Sequence, residues 1–346
     1  MKNKEYRLLF DTGAVTAISP RMVEELNLET LGKKEVFDIS TTSRVLDFVK
    51  IDTIHFNSIN FLNTIAVVLD IETVKDFKCL KIDGFLGANF MMNSIWEIDM
   101  VKQEITFTNT IDSITIPENA PYSKIFIGYD GTPAITSFLG KEKLYSTIID
   151  YGYGGGISLF SYDFKNLLSK NPEIKYIKNN GSNLAGVYGD IKTSKSYKAI
   201  VDNFKTGKFE APNTLISFGE IESRVIGAGF LKNYKVVLSW KHRKAWFIDN
   251  VKPEEKITVK ANGFRFRLEE QSVFISSIYE NSEAEQKGLK IDDKILSIND
   301  FDYTNVTDEK WCEILATNHS DKQQITIETN GEERTVLVER QVLLSN

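Results

Sequence analysis

The sequence aligns with itself. Asp11-Thr-Gly-Ala-Val-Thr-Ala-Ile-Ser19 matches Asp150-Tyr-Gly-Tyr-Gly-Gly-Gly-Ile-Ser158 without gaps, at a shift of 139 positions, with Asp, Gly, Ile and Ser in register. Leu86-Gly-Ala-Asn-Phe-Met-Met-Asn93 matches Ile226-Gly-Ala-Gly-Phe-Leu-Lys-Asn233 at a shift of 140, and the correspondence runs on to Phe107 and Phe247. One repetition over about 250 residues builds two similar units, because a solenoid needs a shorter period and more copies. Both copies carry strand signals: Tyr6, Leu8 and Phe10 alternate, as do Val49 and Ile51, and Tyr234, Val236, Leu238 and Trp240. Helices are short and few. One is expected at Ser19, with Pro20 at its first position, Met22, Val23 and Leu26 on one face and an end near Leu28. Another is expected to start at Ser161, with Phe164, Leu167 and Leu168 inward, and to stop before Pro172.

Composition narrows the function classes. Lys plus Arg number 42 against 48 Asp plus Glu, a net charge of −6, which offers no footprint for gripping nucleic acid. No apolar run reaches the roughly 18 residues of an integral membrane segment. The two cysteines, Cys79 and Cys312, lie in unrelated segments and are expected to be packed thiols rather than a disulfide. His55, His242 and His319 lie far apart without ligand spacing, so neither a metal nor another cofactor is expected.

An Asp at the end of an apolar strand, followed at once by Gly, is costly unless it has partners or a shifted pKa. Two such sites related by a duplication suggest a pseudo-twofold axis, with Asp11 and Asp150 facing each other and sharing one proton. A shared-proton carboxylate pair suits activation of a water, one carboxylate acting as base and the other as acid.

With these residues in place, the sequence resembles the pepsin and retropepsin family of aspartic peptidases. The resemblance rests on Leu8-Leu-Phe-Asp-Thr-Gly-Ala14 with Ser19 downstream, and on the hydrophobic-Gly element Phe85-Leu86-Gly87, repeated at Val225-Ile226-Gly227. It covers residues 1 to about 250, with one motif pair per copy, as in bilobal members. It implies two lobes, 1–115 and 116–250. It also implies a hydrolase acting as an endopeptidase, with Asp11 and Asp150 as the catalytic pair and Thr12, Gly13, Tyr151 and Gly152 supporting them. A bound water would be the nucleophile, a polypeptide the substrate, and no cofactor is needed. Such a chain suffices as a monomer.

The second site departs from the pattern. Asp150-Tyr151-Gly152-Tyr153 carries Tyr where Thr or Ser is expected, and Tyr151 is too large to mirror Thr12 in the hydroxyl exchange that ties the two loops together. Degeneration of that half is a rival explanation and gives a catalytically inactive peptide-binding scaffold. A glycosidase using two carboxylates is a distant third, because it explains neither the duplicated hydrophobic-Gly element nor the segments beyond residue 250. A flap over the substrate is expected at the polar stretch Ser40 to Arg44, with a less clear counterpart near Tyr188-Gly189-Asp190.

Asp249 to Lys256, charged and containing Pro253, reads as a linker. After it come Asn262-Gly-Phe-Arg-Phe266, Val273 to Ile278, Ser282-Glu-Ala284, Gly288-Leu289, Asp292 to Leu296 and Ile298-Asn-Asp300. Their order and spacing resemble bacterial PDZ domains over about 258–341, although Glu283 replaces a common proline and Asp292 a common glycine. The resemblance implies a domain that adds an extended peptide as a strand to an open sheet edge and captures its terminal carboxylate. The capture loop would be Gly263, Phe264, Arg265 and Phe266, with Phe264 and Phe266 lining the pocket. The groove helix would run from Asp308 to Thr317, and Trp311 is expected to pack inward.

The expected architecture is thus mainly β, two pseudo-twofold-related acid-protease barrel lobes followed by a small α+β PDZ domain. Only ten residues precede the first Asp, where the family normally has one or two more strands. A longer precursor with an export signal would make this a bacterial cell-envelope protein, and a true start at Met1 a cytoplasmic one. Retention of one proton by the carboxylate pair predicts strongest activity on the acid side of neutral.

Overall fold

The computed structural model describes residues 1–346 except 2–3, 38–42, 57–58, 183–184, 187–188, 191–194, 222, 252–255 and 318–319. The fold is mainly β, with barrel-like sheets and a C-terminal PDZ domain. Its organisation mirrors the internal repeat. The strand Leu8–Phe10 runs parallel to Gly84–Leu86, pairing Phe10 with Leu86. In the second copy Glu142–Asp150 runs parallel to Arg224–Gly227, pairing Ile149 with Ile226. The crossing strands repeat as well. Ala17–Ile18 pairs parallel with Ile59–Val68 and antiparallel with Gly84–Leu86, while Ile157–Phe160 pairs parallel with Phe209–Gly219 and antiparallel with Arg224–Gly227.

The seam between the copies is a continuous sheet. Ile95–Asp99 pairs with Glu104–Thr108 on one side and across the seam with Tyr234–Ser239. Beyond that come Lys244–Asp249, Tyr122–Ile127 and Pro133–Leu139. One hydrophobic cluster runs across both copies, from Ile18, Met22 and Trp96 to Ile149, Phe204 and Phe247. Trp96 is fully buried, stacks on Phe107 at 5.0 Å and donates its indole N–H to the carbonyl of Met91. Strands buried on both faces tolerate such near-continuous apolar runs.

The short helices form where local chemistry caps them. Pro20–Glu25 starts on Ser19, whose hydroxyl accepts from the Met22 N–H at 3.3 Å, and buries Met22 completely. Ser161–Lys170 begins where the Asp163 carboxylate accepts from the Phe160 N–H at 3.1 Å, and it buries Phe164 and Leu167. Asp163 also takes a bidentate ion pair from Arg224, at 2.8 and 2.9 Å, beside the second hydrophobic-Gly element.

The expectation of two packed thiols is overturned: Cys79 and Cys312 form a disulfide across 233 residues. The bond joins the helix Lys75–Leu80 of the first copy to the helix Asp308–Ala316 of the PDZ domain. Distance along the chain hid it, since the two helices meet only once the PDZ domain has docked. A second attachment is a β ladder. Tyr176–Gly181 of the second copy pairs antiparallel with Ser272–Tyr279, so the PDZ sheet continues into the second copy. Val259 of the strand Thr258–Ala261 and Leu344 of its partner Gln341–Ser345 pack with Ile177, Ile200 and Tyr279 along the same border.

Within the PDZ domain, Phe264–Glu269 pairs with Ser272–Tyr279, and Lys294–Ile298 with Lys322–Thr329. Trp311 is buried in this core, against Phe266 at 6.0 Å, whereas Leu315 is 46% exposed. Residues 252–255 of the linker, 40–42 of the first flap candidate and Tyr188 of the second lie outside the described residues, as does His319. His55 bonds Asn60 and His242 bonds Ser239. No helix among the described residues is long and apolar enough to cross a membrane.

Candidate active site

Each Asp stands where a parallel strand pair ends. The Asp11 N–H donates to the Leu86 carbonyl at 3.0 Å, which fixes the strand end against the hydrophobic-Gly element. Gly87 then passes directly under the loop, where a Cβ would lie 2.2 Å from the Thr16 nitrogen. The loop closes with Ala88 N–H to the Ala14 carbonyl at 2.8 Å, and its counterpart is Ala228 N–H to the Tyr153 carbonyl at 2.8 Å. The element thus supports the Asp loop in both copies.

The two loops meet head to head. A Cβ on Gly13 would lie 2.3 Å from the Asp150 carboxyl carbon, and one on Gly152 would lie 2.3 Å from that of Asp11. Each glycine therefore leaves room for the opposite carboxylate. Asp11 Oδ1 accepts from Gly13 N–H at 2.8 Å. Asp150 Oδ1 accepts from Gly152 N–H at 2.7 Å and from Tyr153 N–H at 3.1 Å.

Electrostatics is set by this geometry. Burial, then the neighbouring Asp150 charge, holds the Asp11 carboxyl well above its ordinary value. Burial also raises Asp150, but its backbone donors oppose the shift. Asp150 accepts two backbone N–H bonds and Asp11 one, so the negative charge is favoured on Asp150 and the proton on Asp11. A pair that keeps one proton offers a base and an acid side by side.

Tyr151 breaks the symmetry. The Thr12 hydroxyl is buried, donates to the Ile149 carbonyl at 2.7 Å and accepts from the Tyr151 N–H at 3.0 Å. It braces the second loop from the first copy. Nothing equivalent returns, because the Tyr151 ring packs edge-on against Phe10 at 5.9 Å and its hydroxyl is buried without a hydrogen-bond partner. Burial pushes that phenol far up, so it stays neutral. Tyr153, to which the motif pattern gives no role, folds back against the glycine run: a Cβ on Gly155 would lie 2.4 Å from its hydroxyl oxygen. Burial raises its pKa, a shift that a hydrogen bond to Ser158 and the Arg265 charge oppose without cancelling.

Gly263 needs its positive φ of 93°, and a Cβ there would lie 2.4 Å from Ser282 Cβ. Its carbonyl accepts from Tyr279 N–H at 2.9 Å, which anchors the loop to the neighbouring strand. Phe264 and Phe266 pack against the domain core, while Arg265 is exposed. Among the described residues no group of three or more His, Cys, Asp or Glu could hold a metal ion.

Residues 1–90 match a family model described as Aspartyl protease, and residues 251–328 match one described as PDZ domain. No curated protein matches the chain. The chain therefore carries an aspartyl protease domain at its N-terminal end and a PDZ domain at its C-terminal end.

Proposed function

We propose that the protein is an aspartic endopeptidase in which Asp11 and Asp150 activate a water, and in which the PDZ domain binds a polypeptide substrate or partner. The observation that carries this reading is the reciprocal seating of each aspartate against the other copy's glycine, which brings the two carboxylates together. The match of the N-terminal residues to an aspartyl protease family supports it.

In this reading a water lies between the carboxylates. Ionised Asp150 takes one of its protons as the oxygen attacks the scissile carbonyl, and protonated Asp11 donates to the carbonyl oxygen. The product is a neutral gem-diol. Proton transfer to the amide nitrogen then releases the amine and a carboxylic acid, and returns the pair to one shared proton. Thr12 holds the second loop in place during both steps, and Gly13 and Gly152 keep the carboxylates at contact distance. We further propose the lobes to be residues 1–115 and 116–250, with the PDZ domain at 258–341. The Cys79–Cys312 bond favours an oxidising compartment such as a cell envelope, where disulfides persist.

A second reading, a catalytically inactive scaffold that keeps the cleft and the PDZ groove, draws on one observation: Tyr151 returns no hydroxyl to the first loop. Cleavage of denatured casein from pH 3 to 8 separates the two. Wild type should cleave on the acid side of neutral, Asp11→Asn and Asp150→Asn should not, and a transition-state-mimicking aspartic peptidase inhibitor should block the reaction. Inert wild type across that range, with peptide binding intact, selects the scaffold.

A further inference from the structure

The peptide groove of a PDZ domain lies between a sheet-edge strand and a helix. Here the walls are Phe264–Glu269, paired on one side with Ser272–Tyr279, and the helix Asp308–Ala316. Trp311 and Ile314 turn into the domain core, which leaves Asp308, Cys312 and Leu315, at helical spacing, on the adjacent face. That face is not open. The helix Lys75–Leu80 of the first copy lies on it through the Cys79–Cys312 bond and a Lys78 to Asp308 ion pair at 2.5 Å. Asp76 accepts the Trp311 indole N–H at 2.8 Å. Lys75 reaches the far end of the other wall, donating to the Glu270 carbonyl in the turn that follows the strand. Cys79 packs against the PDZ core, as Phe264 and Phe266 do. Phe77 holds the same helix to its own copy, edge-on to Phe85 at 5.6 Å.

We infer that the helix Lys75–Leu80 is a built-in plug bridging both walls of the PDZ groove, and that the Cys79–Cys312 disulfide is a redox latch that keeps the groove closed to other peptides. The ion pair adds little, because Lys78 and Asp308 are 44% and 36% exposed. A six-residue helix has little stability of its own. The covalent bond is therefore the strongest tie on the plug. A dithiol opens it by ordinary exchange. Its thiolate attacks one sulfur, the other leaves as a thiolate that takes a proton, and the second thiol then releases the mixed disulfide. The chain gains two thiols and the dithiol becomes a cyclic disulfide. This inference rests on the groove being a peptide site, part of the function proposed above, and does not require Asp11 and Asp150 to be catalytic.

The test uses full-length protein in an Asp150→Asn background, which spares peptide probes from hydrolysis. Hydrogen exchange of the amides in 75–80 and 264–269 is followed with and without dithiothreitol, and in the Cys79→Ser, Cys312→Ser double variant. In parallel, the same samples are offered a mixture of fluorescent dodecapeptides with free carboxylates on terminal Val, Leu or Phe. Opening the bond should speed exchange in 75–80 at least tenfold while Ile325 and Ile327 stay protected, and peptide binding should appear only in the reduced and double-variant samples. Unchanged exchange on reduction overturns the latch. Faster exchange without peptide binding, or equal binding in the oxidised protein, overturns the plug. Failure of the peptidase reading would show in casein cleavage alone and would leave these outcomes untouched.

Discussion

Replacing Gly152 by Ala tests the contact on which the proposed chemistry depends. The new methyl carbon would stand 2.3 Å from the Asp11 carboxyl carbon and 2.5 Å from both of its oxygens, where ordinary contact begins at 3.4 Å. The two must separate by at least 1.1 Å, the difference between those distances. The Asp11 carboxylate is the end of a short side chain already bonded to Gly13 N–H, so the displacement falls on the dyad itself. A misplacement of about 1 Å at a reacting group costs on the order of 100-fold in rate, equivalent to about 2.7 kcal/mol of barrier. Overpacking at such a site costs about 1–3 kcal/mol of stability, which a folded protein of this size can absorb. The assay is hydrolysis of a quenched fluorescent peptide drawn from casein cleavage products, with thermal denaturation of the same samples. Gly154→Ala is the control, since nothing lies within 4 Å of its added carbon, and it should stay within about twofold of wild type on this geometric argument. Full activity in a folded Gly152→Ala protein would refute the reasoning, because two carboxylates at contact distance leave no room for that methyl group.

Other outcomes rest on the same geometry. Burial and the Asp150 charge hold the Asp11 carboxyl above its unfolded value, so between those two pH values the folded state binds more protons. Its cost to stability is absent below the unfolded carboxylate range and grows as pH rises through the folded value. Asp11→Asn should therefore raise the melting temperature at pH 7 and leave it unchanged near pH 3, as thermal denaturation will register. Thr12→Ala strips the Ile149 carbonyl and the Tyr151 N–H of their buried partner and should cost about 2–4 kcal/mol in urea unfolding, with Thr12→Ser close to wild type. Arg224→Met strands the Asp163 carboxylate, only 2% exposed, and should cost about 3–5 kcal/mol by the same assay. Pairing it with Asp163→Leu should recover most of that loss.

The parts of the site that repeat were legible in the sequence. An Asp-x-Gly placed twice at a constant shift carries its own geometry, because each glycine is required by the opposite aspartate. Ser19-Pro20 announced a helix start, since a hydroxyl cap and a proline at the first position act within a few residues. The buried indole of Trp311 was legible for a similar local reason, though its bond to Asp76 was not. The features that stayed hidden depend on how the PDZ domain docks. Cys79 and Cys312 are ordinary residues in their own segments, and only the docked helices make them neighbours. The ladder between Tyr176–Gly181 and Ser272–Tyr279 has no signature either, because an edge strand's own sequence does not name its partner. Nor could the Asp163–Arg224 pair be seen, as its 61-residue separation comes from the packing of a helix against the second hydrophobic-Gly element.

The sheet across the seam has a consequence for how the chain reaches this state. Ile95–Asp99 finds its partner in Tyr234–Ser239, with almost the whole second copy made in between. Until that later strand emerges from the ribosome, the first copy holds an unpaired edge of largely apolar residues, and such edges recruit other chains. Pairing at this sequence separation also places the protein among slow folders, since loop closure precedes the contacts that repay it. Expression of the first copy alone is therefore expected to yield aggregates rather than a folded half, and a chaperone that shields one strand during synthesis would be enough to change the outcome.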